Sequence, residues 1–377
     1  MDHFQPSGDL ISNGNIAISY LNTSQNYVYL FVLEESGTKV YQDKVVHRNQ
    51  NQNGFPYLIT LANKKSLVTW SAVNVDGPSG AFGILAKIYY NDLEVYKDEF
   101  VVNSYIINDQ KQSKACLLEN GNFAIAWSSY YQDSYSNLSV MMQLFYKNGD
   151  KLGGEIAVTS SSQSYDEALD AIASLKNGNI VVVWMSMNRD SSDWGVFGYL
   201  FNIDGTPIAA HFQVNQIWTL NSQLNSRVAA LRDGKFIVVW QGYYQNEGKL
   251  TDNSMYGIYM KIFDKSANRI GSNSMVNDTT SNNRSDPFIR ALLNGTFIIT
   301  WVSEVNMSGC FTNSLGAQQC ESSLQVKTMY KIFDFDLLAN SYFYYDQSLP
   351  QITTLYNGNH VIIWNSLYQD NTNWDVM

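Results

Sequence analysis

The phrase "LRDGKFIVVWQGYYQ", residues 231–245, returns as "LENGNFAIAWSSYYQ" from Leu118, "LKNGNIVVVWMSM" from Leu175, "LLNGTFIITWVSE" from Leu292 and "LYNGNHVIIWNSLYQ" from Leu355. Its aromatic residue falls at Tyr20, Trp70, Trp127, Trp184, Trp240, Trp301 and Trp364, seven places after Asn13, Asn63, Asn120, Asn177, Asp233, Asn294 and Asn357. The intervals are 50, 57, 57, 56, 61 and 63 residues. A period of this length built from strands marks a propeller or an array.

Each unit reads as four strands. A short apolar strand a, such as "SRVAAL" from Ser226, meets Asn-Gly or Asp-Gly, the signature of a two-residue type I′ turn. Strand b follows as "KFIVVW", and after a longer loop strand c appears, as in "YGIYMKIF" from Tyr256. Strand d ends in "VVN" at Asn103, "QVN" at Asn215 and "MVN" at Asn277. Strand b is apolar at successive positions, Phe236 to Trp240, so it is buried on both faces, where a sheet with one wet face would alternate. Burial on both sides of an antiparallel unit is what stacking of blades around an axis produces. The expected fold is therefore all-β, a single seven-bladed β-propeller over 1–377 with four-stranded antiparallel blades at about 9–48, 56–103, 113–159, 169–215, 225–277, 286–345 and 349–377. The seven repeat aromatics are expected to pack between blades.

The last unit stops at "NWDVM", equivalent to "DWGVF" from Asp193, so blade seven is expected to be incomplete and Trp364 partly uncovered. The expected explanations are a chain that continues past Met377, completion by the segment before Asp9, or a strand donated by another subunit, since an open edge invites pairing.

Charged residues make up 15% of the chain, below the roughly 25% of typical soluble domains. The net charge of -10 and the absence of a Lys/Arg run argue against nucleic acid as a partner. No stretch of about 18 uninterrupted apolar residues is present, so no membrane insertion is expected.

The long b-to-c and d-to-a connections share one side of a propeller, and that side is the candidate binding face. Its loop aromatics, Tyr130, Tyr131, Trp194, Tyr243, Tyr244, Tyr368 and Trp374, offer a protein- or sugar-binding surface. Asp133, Asp190, Asp193 and Asp370 offer oxygen ligands for Ca²⁺, although no D-x-D-x-D-G spacing is intact, and no cofactor is required. Cys310 and Cys320 bracket an insertion suited to a disulfide. Sequons at Asn22, Asn137, Asn277, Asn283, Asn294 and Asn306 fall at expected loops or strand ends. A bridge and N-linked glycans would both place the chain outside the cell or at its surface. Metal-ligand spacing, G-x-S-x-G, phosphate loops and H-E-x-x-H are absent, as are sialidase-type S-x-D-x-G-x-T-W turns.

In "NGNFAIAWSSYYQD", "WGVFGYLFNIDGTPI" and "FQVN" the units resemble a repeat of large secreted or cell-surface proteins of protists, especially ciliates, and of bacteria. The resemblance implies extracellular display. Three functions follow as expectations. The first is a non-catalytic structural module engaging other protein subunits, with self-assembly through the open seventh blade. The second, the alternative, is a lectin-like carbohydrate-binding propeller. With no catalytic motif present no enzyme activity is expected, and an enzyme with its site on the axis stands third.

Overall fold

The computed structural model describes residues 5–376 apart from 49–51, 76, 78–79, 133–136, 160–164, 217–220, 244–255, 278–282, 293–294, 305–310, 313–317, 320–321, 330–336, 339–346 and 368–373; for strands within 304–338, at 367 and within 374–376 it describes the backbone. The described residues form strands and no helix, and every sheet is antiparallel with its strands in chain order.

Seven sheets correspond to the seven units. The first holds Ser7–Leu10, Ile16–Asn22, Tyr27–Leu33 and Lys44–Arg48, and the second Asn53–Leu61, Lys65–Val73, Phe82–Tyr90 and Val95–Val101. The third holds Gln110–Leu117, Phe123–Tyr130, Leu138–Phe145 and Lys151–Ala157, and the fourth Glu167–Ser174, Ile180–Met187, Trp194–Phe201 and Phe212–Gln213. The fifth holds Gln223–Ala230, Phe236–Tyr243, Tyr256–Phe263 and Arg269–Met275, and the sixth Arg284–Ala291, Phe297–Glu304, Ser322–Met329 and Leu337–Leu338. The seventh has three strands, Gln347–Thr354, His360–Leu367 and Trp374–Val376. The chain is a seven-bladed propeller whose last blade is incomplete.

Trp70, Trp127, Trp184, Trp240 and Trp301 are fully buried. Each belongs to a core shared with the preceding blade: Trp127 lies with Leu67, Ile84 and Ile88, and Trp240 with Val181, Val183 and Leu200. Burying an indole removes roughly 150–250 Å² from water. At about 25 cal/mol per Å² that is on the order of 4–6 kcal/mol per seam before entropy is counted. Trp364 is half-buried. Tyr20, also half-buried, stacks on Tyr29 with centroids 5.3 Å apart and donates its hydroxyl to Asp43 Oδ2 at 3.0 Å.

Blades seven and one are in contact. Ile363 and Leu355 share a core with Ile16, Ile18 and Phe31, the Gly8 amide donates to Gln351 Oε1 at 3.2 Å, and Gln351 Nε2 donates to the Pro6 carbonyl at 2.8 Å. A Cβ on Gly8 would meet the Ile363 δ-methyl, which would have to shift, so the seam is closely packed at this point. Strand Ser7–Leu10 pairs with Ile16–Ser19, inside blade one and not blade seven.

The tight turns differ from expectation. Type I′ needs a positive φ at both central residues. In blade three only Gly121 has one (82°), the Gly121 amide donates to the Leu118 carbonyl, and the Leu118 amide to the Asn122 carbonyl. This is a type I turn closed by a glycine bulge, with Asn120 Oδ1 accepting the Asn122 amide at 3.0 Å. The side chain of Asn caps the turn, and Gly alone takes the left-handed residue. Blade two, lacking Gly there, carries positive φ at both Asn63 (62°) and Lys64 (60°), within a three-residue connection between the paired Leu61 and Lys65.

The terminal Val-Asn of strand d is a clasp. Asn103 Oδ1 accepts the Ile84 amide at 2.7 Å, Asn215 Oδ1 the Val196 amide at 3.1 Å and Asn277 Oδ1 the Ile258 amide at 2.8 Å. Asn103 Nδ2 then donates to Gln110 Oε1 of the next blade at 3.1 Å. In blade three the hydroxyl of Thr159 replaces the amide, accepting from Val140 at 2.9 Å.

Candidate functional site

The innermost strand of a blade has one side without a sheet partner, and seven such strands surround the axis. Fifteen residues before each repeat aromatic stand Gln5, Phe55, Gln112, Leu169, Asn225, Asp286 and Leu349. The strand register breaks around this position in blades two to seven. Phe55 (54°), Gln112 (59°), Asn225 (53°), Asp286 (51°) and Leu349 (51°) all carry positive φ. None is glycine. A left-handed non-glycine residue costs roughly 1–2 kcal/mol, and residues held so, like bulges, cluster at functional sites where they re-aim side chains. Pro6, Pro56, Pro287 and Pro350 follow at the next position, where a bulged edge strand tolerates a residue with no N–H.

These residues line an axial cavity of about 210 Å³ toward the long-loop side, together with Lys114, Asp170, Arg227 and Phe288. Asp170 Oδ2 accepts from the Ser226 amide at 3.1 Å and from its hydroxyl at 2.6 Å. Asp286 Oδ1 accepts from Asn225 Nδ2 at 3.3 Å. Burial pushes both carboxyls up, while the Arg227 guanidinium opposes the rise in each. Burial holds the Lys114 ammonium down to about 7, helped by Arg227 and opposed by Asp170. Its Nζ lies 4.7 Å from the centroid of the Tyr57 ring, whose phenol burial pushes up to about 12. One layer further along the strands, Arg290 Nη2 meets Asp9 Oδ1 at 2.7 Å. The cavity thus holds two carboxyls displaced toward neutrality and a lysine poised to exchange a proton, which is the equipment of general acid–base chemistry.

A second, more open cavity of about 640 Å³ lies over blades one to three and adjoins the first, since Phe55 and Gln112 line both. Its walls include Phe82, Lys111 and Tyr130.

Of the aromatics picked from the sequence, Tyr130 borders this cavity. Tyr131 is exposed, Trp194 is half-buried opposite Met187, and Tyr243 packs on Tyr256 with centroids 4.8 Å apart. Tyr244, Tyr368 and the Trp374 side chain lie outside the described residues, as do Asp133, Asp370, Cys310, Cys320, Asn294 and Asn306. Asp190 Oδ2 accepts from Gln213 at 3.1 Å and from Asn215 at 3.2 Å, and Asp193 accepts from Ser222. Among the described residues no group of three or more His, Cys, Asp or Glu is placed to hold a metal ion. Asn22 and Asn283 are half-buried and Asn137 is exposed, whereas Asn277 is buried in its clasp and closed to a glycan in the folded chain.

The axial residues were missed. Two signals could have found them: four of the six prolines stand at one repeat position, and Lys114, Asp170, Arg227 and Asp286 put charge within one place of it in blades three to six.

No protein-family model and no curated protein matches the chain. Solved structures do. An ulvan lyase is similar at a TM-score of 0.57 and 9% identity, covering 98% of this chain and 90% of that one. An α-L-arabinanase of Penicillium chrysogenum, complexed with arabinobiose, is similar at 0.54 and 13%, covering 88% and 95%. An α-L-arabinofuranosidase of Fusarium graminearum is similar at 0.53 and 13%, covering 86% and 92%. Identities this low establish the fold, and the chemistry has to be read from this chain's own residues. All three are carbohydrate-active enzymes, and that finding overturns the expectations of a non-catalytic structural module and of no enzyme activity.

Proposed function

We propose that this propeller binds a polysaccharide on its long-loop face and hydrolyses a glycosidic bond in the axial cavity. The observation that carries this reading is the pair Asp170 and Asp286, buried in one cavity with ionisation suppressed in both. Glycoside hydrolysis needs one carboxylic acid to protonate the leaving oxygen and one carboxylate to activate water or attack carbon. Asp170 suits the carboxylate role, because two hydrogen bonds from Ser226 favour its charged form. Asp286 suits the acid role, because burial, the largest influence on it, disfavours its charged form. Arg227, between them electrostatically, presents a guanidinium to sugar oxygens.

The test is release of reducing ends from a panel of arabinans, xylans, glucans, mannans and uronic-acid polymers. Asp286→Asn and Asp170→Asn should each lower turnover at least 100-fold with circular dichroism unchanged. Wild-type protein that releases no reducing ends from any polymer sinks the proposal.

Lys114 favours a second reading. A lysine near neutrality can abstract the proton next to a uronate carboxylate held by Arg227, cleaving by elimination. The same panel separates the two: elimination yields an unsaturated, ultraviolet-absorbing uronate end, and Lys114→Met would abolish it.

An extracellular or cell-surface location fits a polysaccharide substrate. The resemblance to secreted protist and bacterial repeats supports it, as do sequons at Asn22, Asn137 and Asn283 outside the buried strand cores. Glycopeptide mass spectrometry tests it.

A further inference from the structure

We infer that the open cavity over blades one to three is a cleft for an uncharged stretch of glycan chain leading to the axial cavity, so that the substrate is a polymer gripped over several sugar units. The inference rests on the axial site being where the chain is processed.

Size decides first. Ligand sites commonly measure roughly 300–1,000 Å³, and the axial cavity at about 210 Å³ falls short of that range while the adjoining cleft, about 640 Å³, lies within it. A ligand seated on the axis gains most of its contact area by extending past Phe55 and Gln112, the residues common to both.

Chemistry decides next. The cleft offers aromatic surface from Phe82 and Tyr130 and side-chain amides from Gln52, Asn53 and Gln112, a combination that takes both the C–H face and the hydroxyl rim of a sugar ring. Among the described residues the lining has one charged side chain, Lys111, whose ammonium is 2.6 Å from Asp109 Oδ2 and 4.2 Å from the Phe82 ring centroid. Its charge is already matched. A carboxylated or sulfated unit would find no unmatched cation among the described residues of the cleft, in contrast to the axis with Arg227 and Lys114.

The experiment is calorimetric titration of the Asp170→Asn, Asp286→Asn double variant with arabino-, xylo-, gluco- and manno-oligosaccharides, each as the disaccharide and the hexasaccharide, and with a hexameric oligogalacturonate. At least one uncharged hexasaccharide should bind tenfold or more tightly than its disaccharide. Adding Tyr130→Ala and Phe82→Ala should erase that difference, and Tyr131→Ala, which is exposed and off both cavities, should leave it intact. Gln52→Trp, an obstruction on the exposed rim, should also erase it and serves if the double-alanine protein fails to fold. Equal affinity for both lengths, preference for the uronate hexamer, insensitivity to the cleft variants, or no binding of any probe would each overturn the inference. Binding that behaves as described without turnover by wild-type protein removes the hydrolase reading alone. Turnover with no dependence on chain length removes the cleft alone.

Discussion

The indole Nε1 of Trp184 donates to Glu167 Oε1 at 3.2 Å, and the same oxygen accepts from Arg189 Nη1 at 2.6 Å. In Trp127 and Trp301 the equivalent nitrogen is buried without a partner. Trp184→Phe therefore removes a donor from a buried carboxylate, while Trp127→Phe removes one that satisfies nothing. The first substitution should cost about 1–2 kcal/mol more than the second in urea unfolding. Equal costs would mean that the Glu167 contact contributes nothing net.

Arg189 Nη2 also contacts His211 Nδ1 at 2.7 Å, and burial first, then Arg189, holds this imidazole down to about 4. His211 is accordingly neutral at physiological pH. Nuclear magnetic resonance titration from pH 7 to pH 5 should leave its ring shifts unchanged.

The clasp residues should obey the rule seen in blade three. Asn103→Ala leaves the buried Ile84 amide without its acceptor and should cost about 1–3 kcal/mol. Asn103→Thr supplies a hydroxyl as Thr159 does for Val140, and should recover part of that loss. Thermal melting of the two variants side by side reads the difference. Identical melting temperatures would refute the clasp.

Lys114 makes stability depend on pH in a defined window. Its folded value of about 7 lies below the ordinary 10.5, so between these values the unfolded chain binds a proton that the folded chain does not. Stability must rise with pH across the window and be lost as pH falls through about 7. Lys114→Met should flatten that slope in chemical denaturation between pH 7 and pH 10. An unchanged slope would place the ammonium in water.

Arg227 opposes the upward shift of both Asp170 and Asp286. Removing its charge in Arg227→Met should move both limbs of the pH–rate profile attributable to these carboxyls to higher pH. A profile of lower amplitude and unchanged position would assign Arg227 to substrate binding alone.

The repeat phrase was enough for the architecture because blade stacking repeats one environment seven times. An apolar five-residue run ending in Trp has few homes other than a strand buried on both faces, and the recurrent Asn-Gly or Asp-Gly placed the turns even though it mistook their type. The turn type escaped because Asn-Gly serves both geometries, and only the φ of Asn120 distinguishes them. The loop aromatics drew attention because they are large and follow the repeat, yet Trp194 and Tyr243 serve local packing, and Tyr130 alone among the described ones borders a cavity.

Sequence alone determined the number of blades, the seam residues and the early stop of the seventh, since each is a local pattern repeated along the chain. Tertiary structure decided the site. Lys114, Asp170, Arg227 and Asp286 come from blades three to six and are 56 to 59 residues apart in the chain, so no window of sequence contains two of them as neighbours. Closing the ring brings the innermost strands together, and the low-dielectric space they enclose turns scattered charges into groups whose protonation depends on one another.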